Sequence, residues 1–362
     1  MSEAISVPAT PIRSAARVTP VTIFLWGLRI AALAVILYGS YQSISSGRLS
    51  GAQWRDLLIF GASTGSVFAL IALGYTMVYG VLRFINFAHG EVFMVGAMMA
   101  FYVANGLAAT SLWTASPIVS LLIVLLAAMA TSASVAVLLE RIAYRPLRNA
   151  PRLIPLITSI GASFTIQYLV NGLVGPSTKD FPRMEPLRGT INVAGSRIPT
   201  SRVVVIVVTV IVMIALYLFV ERTRTGKSMR AVSEDQETAA LMGIDVNRTI
   251  VTVFAVGGAM AGVAGALWGL VFPSINFFSG FLPGIKAFTA AVLGGIGNIL
   301  GAMLGGVSLG VVESVGPSLV LAGYDIPAFS QLKDVVAYAA LVMVLIFRPT
   351  GILGERLSRD RT

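Results

Sequence analysis

Residues 292–310 read VLGGIGNILGAMLGGVSLG. The stretch is apolar enough for a membrane, yet glycine recurs at 294, 295, 297, 301, 305, 306 and 310. Each interior helical glycine costs roughly 1 kcal/mol relative to alanine, so one ordinary uninterrupted helix is not expected. We read 286–315 as two short limbs meeting near Gly294–Asn298, a broken or re-entrant element. Irregular backbone at membrane depth is tolerated where it lies inside protein or lines a cavity. Gly294, Gly295, Gly297 and Asn298 are therefore candidates for a pathway or gate.

The rest of the chain supplies the bundle around this element. Apolar runs at 21–44, 57–80, 88–109, 117–139, 153–174, 203–220, 249–272 and 333–348 approach the roughly 20 residues that a crossing helix needs. Composition agrees: 56% hydrophobic, 12% charged, mean hydropathy +0.85. The expected fold is an all-α polytopic membrane protein with eight or nine transmembrane helices plus the glycine-rich element.

Charge tests the topology. Basic residues gather on cytoplasmic loops. With the N-terminus inside, Arg141, Arg145, Arg148 and Arg152 fall inside. So do Arg222, Arg224, Lys227, Arg230 and Arg248, while the uncharged turns 105–116 and 273–285 fall outside. The basic tail, with Arg348, Arg356, Arg359 and Arg361, returns inside only if 286–315 enters and leaves on the outer side. Charge thus supports the break independently of the glycines. The net charge of +10 is read as topology rather than as a nucleic-acid surface, since no soluble basic face appears. Zero cysteines exclude disulfides and thiolate sites. Segment 175–202 is the longest outer connection, a structured loop able to meet a partner.

Three regions follow. Residues 1–56 form a polar tail and an added helix, read as retained rather than cleaved, with Arg29 interrupting its apolar run. Residues 57–354 form the main bundle, and 355–362 a basic tail. Small residues four apart, at Gly61–Gly65, Gly258–Gly262, Gly265–Gly269, Gly301–Gly305 and Gly306–Gly310, predict close helix approach. A shift of 210 residues places Gly74, Leu82 and Gly96 on Gly284, Val292 and Gly306, the hint of a pseudo-repeat of two halves.

The only sizeable loop on the expected inner side is 221–248. Within it Ser233 is positioned to cap a helix, with Gln236 completing a capping box. Glu234, Asp235 and Glu237 then occupy the first turn, favourable to the dipole, and Gly243 is a natural stop. Ala240, Leu241 and Ile244 give a small apolar stripe. A short amphipathic docking helix accounts for the stripe; a solvated connector is the alternative.

Here "RAVSEDQETAALMGIDVNR" followed by "GGAMAGVAGALWG" resembles the permeases of branched-chain amino acid ABC importers of the LivH type. Glu237, Ala239, Ala240 and Gly243 match most of the docking motif of such permeases. "FINFAHGEVFMVGA" (84–97), "GIKAFTAAVLGGIGNILGAMLGG" (284–306) and "LKDVVAYAALVMVLIFRPTGILG" (332–354) resemble three further blocks, in the family's order. The resemblance implies a non-enzymatic permease in a bacterial inner membrane, with both termini cytoplasmic. It also implies pairing with a second related permease, two ATPase subunits and a solute-binding protein. Ser233, Glu234, Asp235, Glu237, Ala239, Ala240, Leu241 and Gly243 would form the ATPase docking segment. The chain has no G-x-x-x-x-G-K-[ST] loop, so ATP is expected to be used by the partners and no cofactor to be bound directly.

The sole histidine stands in RFINFAHGEVFM (83–94). Gly90 is expected to start an apolar helix, with Asn86 and His89 capping it and Glu91 at its positive pole. Intramembrane ionisable groups are functional candidates. The group Asn86, His89, Gly90 and Glu91 either fixes a junction or gate near the inner side or touches substrate. Lys286 and Glu313 either form a salt bridge closing the re-entrant element or stand as separate interfacial charges. Competing functions are an ion-coupled secondary transporter and a passive channel for a small neutral solute such as urea. An intramembrane enzyme lacks support, since His89 and Glu91 do not have zinc-site spacing and no metal or catalytic residues are expected.

Overall fold

The computed structural model describes residues 20–354, apart from Asn149, Arg152, Arg183, Glu185, Pro186, Arg188, Ala194, Gly195 and Pro349. The terminal tails 1–19 and 355–362, with Arg356, Arg359 and Arg361, lie outside the described residues. Helices dominate: α1 (Pro20–Ser45), α2 (Gly51–Leu82), α3 (His89–Ala108), the short α4 (Leu112–Ala115), α5 (Pro117–Leu139), α6 (Leu153–Val174), α7 (Thr200–Arg222), α8 (Arg224–Glu234), α9 (Gln236–Leu241), α10 (Val246–Val271), α11 (Phe281–Gly294), α12 (Ile299–Val320) and α13 (Lys333–Phe347). Among the described residues, nine helices are long and apolar enough to cross a membrane. The chain is a multi-pass all-α membrane protein.

Two ends of the bundle are distinguishable. One carries α8 and α9, where Arg83 donates to the Ser233 carbonyl at 2.8 Å and Gln236 donates to the Val81 carbonyl at 2.8 Å. The last described residues are there too, since the Leu353 N–H donates to the Gly294 carbonyl at 2.9 Å. The opposite end carries two small antiparallel ladders. β1 (Lys179–Asp180) pairs with β4 (Ser274–Ile275), and β2 (Thr190–Val193) with β3 (Ser196–Pro199). These ladders give the 175–202 connection its structure.

The core is a seam of glycines between α2 and α12. A methyl on Gly306 would sit 2.3 Å from the Ala69 Cα, and one on Gly310 would sit 2.3 Å from the Gly65 Cα. Gly258 and Gly262 meet α5 at Ser132 and Ala128 in the same way, and Gly265 meets the α3 backbone at Ala97. Small residues let backbones touch where lipid offers no hydrophobic gain for helix association.

The glycine-rich element differs from two short limbs. Its first limb, α11, begins at Phe281 and has 14 residues. At 1.5 Å per residue that is about 21 Å, too short for a hydrocarbon core of about 30 Å. Its second limb, α12, has 22 residues and is a full crossing. The turn falls where the sequence places it: Gly295 and Gly297 have φ of +103° and +101°, a region open to glycine. Asn298 then caps α12, its Oδ1 accepting from the Gly301 N–H at 3.0 Å. The expectation of two short limbs holds for α11 alone. In α12 the close approach to α2 outweighs the propensity loss.

One pair of helix starts lies 210 residues apart, His89 of α3 and Ile299 of α12, but α11 begins at Phe281, which the same shift places inside α2. Lys286 and Glu313 form the salt bridge at 2.8 Å, and Asp334 of α13 adds a third member at 2.7 Å from Lys286 Nζ. α1 runs unbroken through Arg29, whose guanidinium donates to the Ile346 carbonyl at 2.6 Å and faces the Trp26 and Phe347 rings. Ser43 and Arg48 hold the other end of α1 through the Ser318 and Ala322 carbonyls.

Candidate functional site

The 221–248 segment, expected to dock a partner, forms two helices rather than one. Ser233 and Glu234 finish α8, and Asp235 is the cap of α9. The Ser233–Gln236 capping box is therefore replaced by Asp235, whose Oδ1 accepts from the Glu237 and Thr238 N–H groups at 2.8 and 3.0 Å. Gln236 instead ties the segment to α2. The Asp235 carboxyl is held below the usual aspartate range, chiefly by the Thr238 backbone N–H. Gly243 ends α9 at φ +82°. Ala239 is buried against the bundle, whereas Leu241 and Met242 are 88% and 79% exposed. A paired apolar tip projecting from a charged segment is a surface suited to a partner.

A second site lies inside the bundle. Asn86 and His89 do not cap α3: its cap is Ala88, without a side-chain hydrogen bond. Asn86 Oδ1 instead accepts from the Ala88 N–H at 3.1 Å and from the Tyr144 hydroxyl at 2.5 Å. Tyr144 occupies a π turn, Glu140–Tyr144, that extends α5. Beside it Glu140 is salt-bridged to Arg148, which also reaches Asn247 of α10. Asn86 therefore fixes the 83–88 break to α5. His89 opens α3 and packs edge-on against Tyr75 at 4.9 Å, in space that Gly74 leaves free.

Gly90 and Glu91 face a cavity of about 250 Å³, with Tyr75, Phe87, Ser163 and Phe281 among its walls. Ser163, midway along α6, donates to Glu91 Oε1 at 3.4 Å. Glu91 therefore sits opposite the middle of a crossing helix, deeper than the inner-side placement expected from sequence. The amino end of α11 closes the cavity. A methyl on Gly90 would be 2.6 Å from the Gly280 carbonyl oxygen, and one on Gly284 would be 2.9 Å from the Gly90 Cα. α3 runs from here toward the ladder end and α11 toward the docking end. The positive poles of two helices of opposite direction thus meet.

The two predicted breaks are not brought together. Gly294, Gly295 and Asn298 contact residues 351–354 at the docking end. Gly297 borders a smaller space of about 80 Å³ with Met229, Arg230 and Ser233. Sequence reasoning missed Tyr75, Ser163, Gly280 and Gly284 at the cavity. The four-residue spacing Gly280–Gly284 was the available signal for the last two. Among the described residues no three His, Asp or Glu side chains gather as a metal site.

A family model described as the permease component of branched-chain amino acid transport systems matches residues 57–345. The chain is 45% identical over 305 residues to the high-affinity branched-chain amino acid transport system permease protein BraD of Pseudomonas aeruginosa, covering 82% of this chain and 95% of that one. It is 41% identical over 298 residues to the LivH permeases of Escherichia coli strain K12 and Salmonella typhimurium, covering 82% of this chain and 94% of each. Helix α1 precedes the matched residues. By its apolar helices, its glycine seam and these likenesses, the chain belongs to the family of branched-chain amino acid transport system permease components.

Proposed function

We propose that this chain is the membrane-spanning subunit of an ATP-driven importer of branched-chain or closely related amino acids, working by alternating access. ATPase subunits dock at 221–248, with Asp235, Glu237, Ala239, Ala240 and Gly243 shaping α9 and Leu241 entering the ATPase surface. Ser233 and Glu234 hold the α8–α9 corner. A second related permease completes the pathway, and a solute-binding protein delivers cargo at the ladder end. Both termini lie on the cytoplasmic side of a bacterial inner membrane, and ATP is used by the partners. Gly90 and Glu91 belong to the pathway, Asn86 and His89 fix the junction beside it, and Gly294, Gly295, Gly297 and Asn298 form a hinge on the α8–α9 side. The observation that carries the reading is the Leu241–Met242 tip, an exposed apolar pair held on capped, bundle-anchored helices.

Alternating access is a population shift between two bundle states, so docking must favour one of them. The test is uptake into vesicles holding the chain with its neighbouring ATPases and binding protein. Leucine accumulation is expected to require ATP and to fall with Leu241→Asp. Accumulation that follows an imposed ion gradient without any ATPase would overturn the reading in favour of a secondary transporter. Non-saturating, ATP-independent flux would overturn it in favour of a channel.

A further inference from the structure

Glu91 differs from the other buried acids. Among the described residues these are Glu91, Glu140 and Glu313. Glu140 has Arg148 and Glu313 has Lys286. Among the described residues Glu91 has no cation within salt-bridge distance. It is 1% exposed, its Oε1 accepts one long hydrogen bond from Ser163, and its Oε2 has no partner. Buried polar atoms are normally hydrogen-bonded, so the unpartnered oxygen calls for a donor. Among the described residues no donor meets that oxygen, and Glu91 lines the cavity.

The surroundings narrow what fits. Each helix amino end carries roughly half a positive charge, so the two poles together approximately balance one carboxylate. A site near neutrality in apolar walls disfavours a ligand with net charge of either sign. Tyr75, Glu91 and Ser163 are the polar side chains facing the space, too few to satisfy a sugar's hydroxyls, and a single carboxylate is no cage for a metal ion. Phe87, Ile160, Phe164 and Phe281 offer aliphatic and aromatic contact. A cavity of about 250 Å³ is below the roughly 300–1,000 Å³ of drug-sized sites and suits a small metabolite.

We propose that the Glu91 cavity binds a zwitterionic aliphatic amino acid, with its ammonium group on the Glu91 carboxylate and its carboxylate toward the amino end of α11. The branched side chain then lies on Phe87, Ile160 and Phe164. The cargo class rests on the importer reading, whereas the site and the polarity of the ligand rest on this geometry. Ile160 and Phe164 are partly exposed on their outer side, so the second permease would close the cavity there.

The chain has no cysteine, which permits a direct test. Ile160→Cys places a single thiol in the wall, with Phe164→Cys as a second variant if the first does not insert. In membranes holding the whole importer, labelling of this chain is followed with a cationic and an anionic thiol reagent. The two reagents are expected to react at similar rates, and Glu91→Gln, which leaves the two helix poles unbalanced, to favour the anionic reagent several-fold. Leucine is expected to slow labelling, whereas 2-hydroxy-4-methylpentanoate, which lacks the ammonium group, does not. Glu91→Gln is expected to raise the leucine concentration for half-protection at least tenfold. Equal protection by the hydroxy acid, no protection by leucine, or an unchanged midpoint in Glu91→Gln overturns the site. ATP-driven leucine uptake by the importer holding the unmodified chain is measured in parallel. Its absence overturns the importer reading, whereas its presence beside a failed protection test overturns only the site.

Discussion

Replacing Lys286 with methionine tests the buried charge cluster. Lys286 Nζ stands 2.8 Å from Glu313 Oε1 and 2.7 Å from Asp334 Oδ1, and its side chain is 6% exposed. Methionine keeps most of the stem and removes the cation. Asp334, with 36% of its side chain exposed, can turn to solvent, but Glu313, with 8%, cannot. The other basic group near Glu313 is Lys333, at 3.8 Å and half exposed, too distant and too hydrated to substitute. Breaking a buried pair from one side costs about 3–5 kcal/mol because the survivor is stranded. At about 2–4 °C per kcal/mol, the melting midpoint in mild detergent should fall on the order of 10 °C. Glu313→Leu alone should cost less, since Lys286 retains Asp334. The double variant Lys286→Met/Glu313→Leu should recover most of the loss, because replacing both ions with apolar groups is often near neutral. A midpoint for Lys286→Met within 1 °C of wild type, or a double variant no more stable than Lys286→Met, would refute the reasoning.

Other expectations follow from the same geometry. Gly310→Ala drives a methyl into the α2 backbone and should cost about 1–3 kcal/mol, read as a lower unfolding midpoint. Gly297→Ala, with open space around it but φ +101°, should cost about 1 kcal/mol, and Gly295→Ala more, since its methyl also meets the Gly354 backbone at 2.4 Å. Leu241→Ala should leave the melting midpoint unchanged yet weaken ATPase binding roughly tenfold or more, the equivalent of about 1.5–3 kcal/mol for one buried leucine, measurable by titrating labelled ATPase. Asp235 binds fewer protons in the folded segment than in the unfolded chain, because its folded pKa is depressed. Its contribution to α9 is therefore full above about pH 3.9 and is lost only as pH falls through the lower folded value. Amide exchange at Glu237 and Thr238 should show no cap-loss step between pH 5 and 8, and Asp235→Ala should abolish their protection.

Much of the fold was legible because membrane helices declare themselves by length and composition. The break at Gly294–Asn298 was legible because positive-φ glycines and a capping asparagine are local signals. The unequal limbs were not, because the length of α12 depends on backbone contact with α2, a partner more than 200 residues away. The helical character of 221–248 is legible in its caps and charges, but Ser233 and Asp235 compete for the cap and the structure uses Asp235. Both residues are good caps, and only the hydrogen bond from Gln236 to Val81 decides between them. Asn86 was read as a helix cap, whereas its partner is the hydroxyl of Tyr144, on a π turn that no sequence period announces. Lys286 and Glu313 were recognised as a possible pair, but Asp334 was hidden inside an apolar crossing. The cavity was half visible. Glu91 stands out in any hydropathy profile, but Tyr75 and Ser163 look like ordinary bundle residues until three helices bring them to one point.

Helix α1 lies along α12 and α13, fastened by Arg29, Ser43 and Arg48. That flank is therefore already occupied, while α6 and the mouth of the cavity lie elsewhere. A neighbouring permease approaching from the α12–α13 side would meet α1 first. The added helix thus decides which parts of α12 and α13 a neighbour can touch.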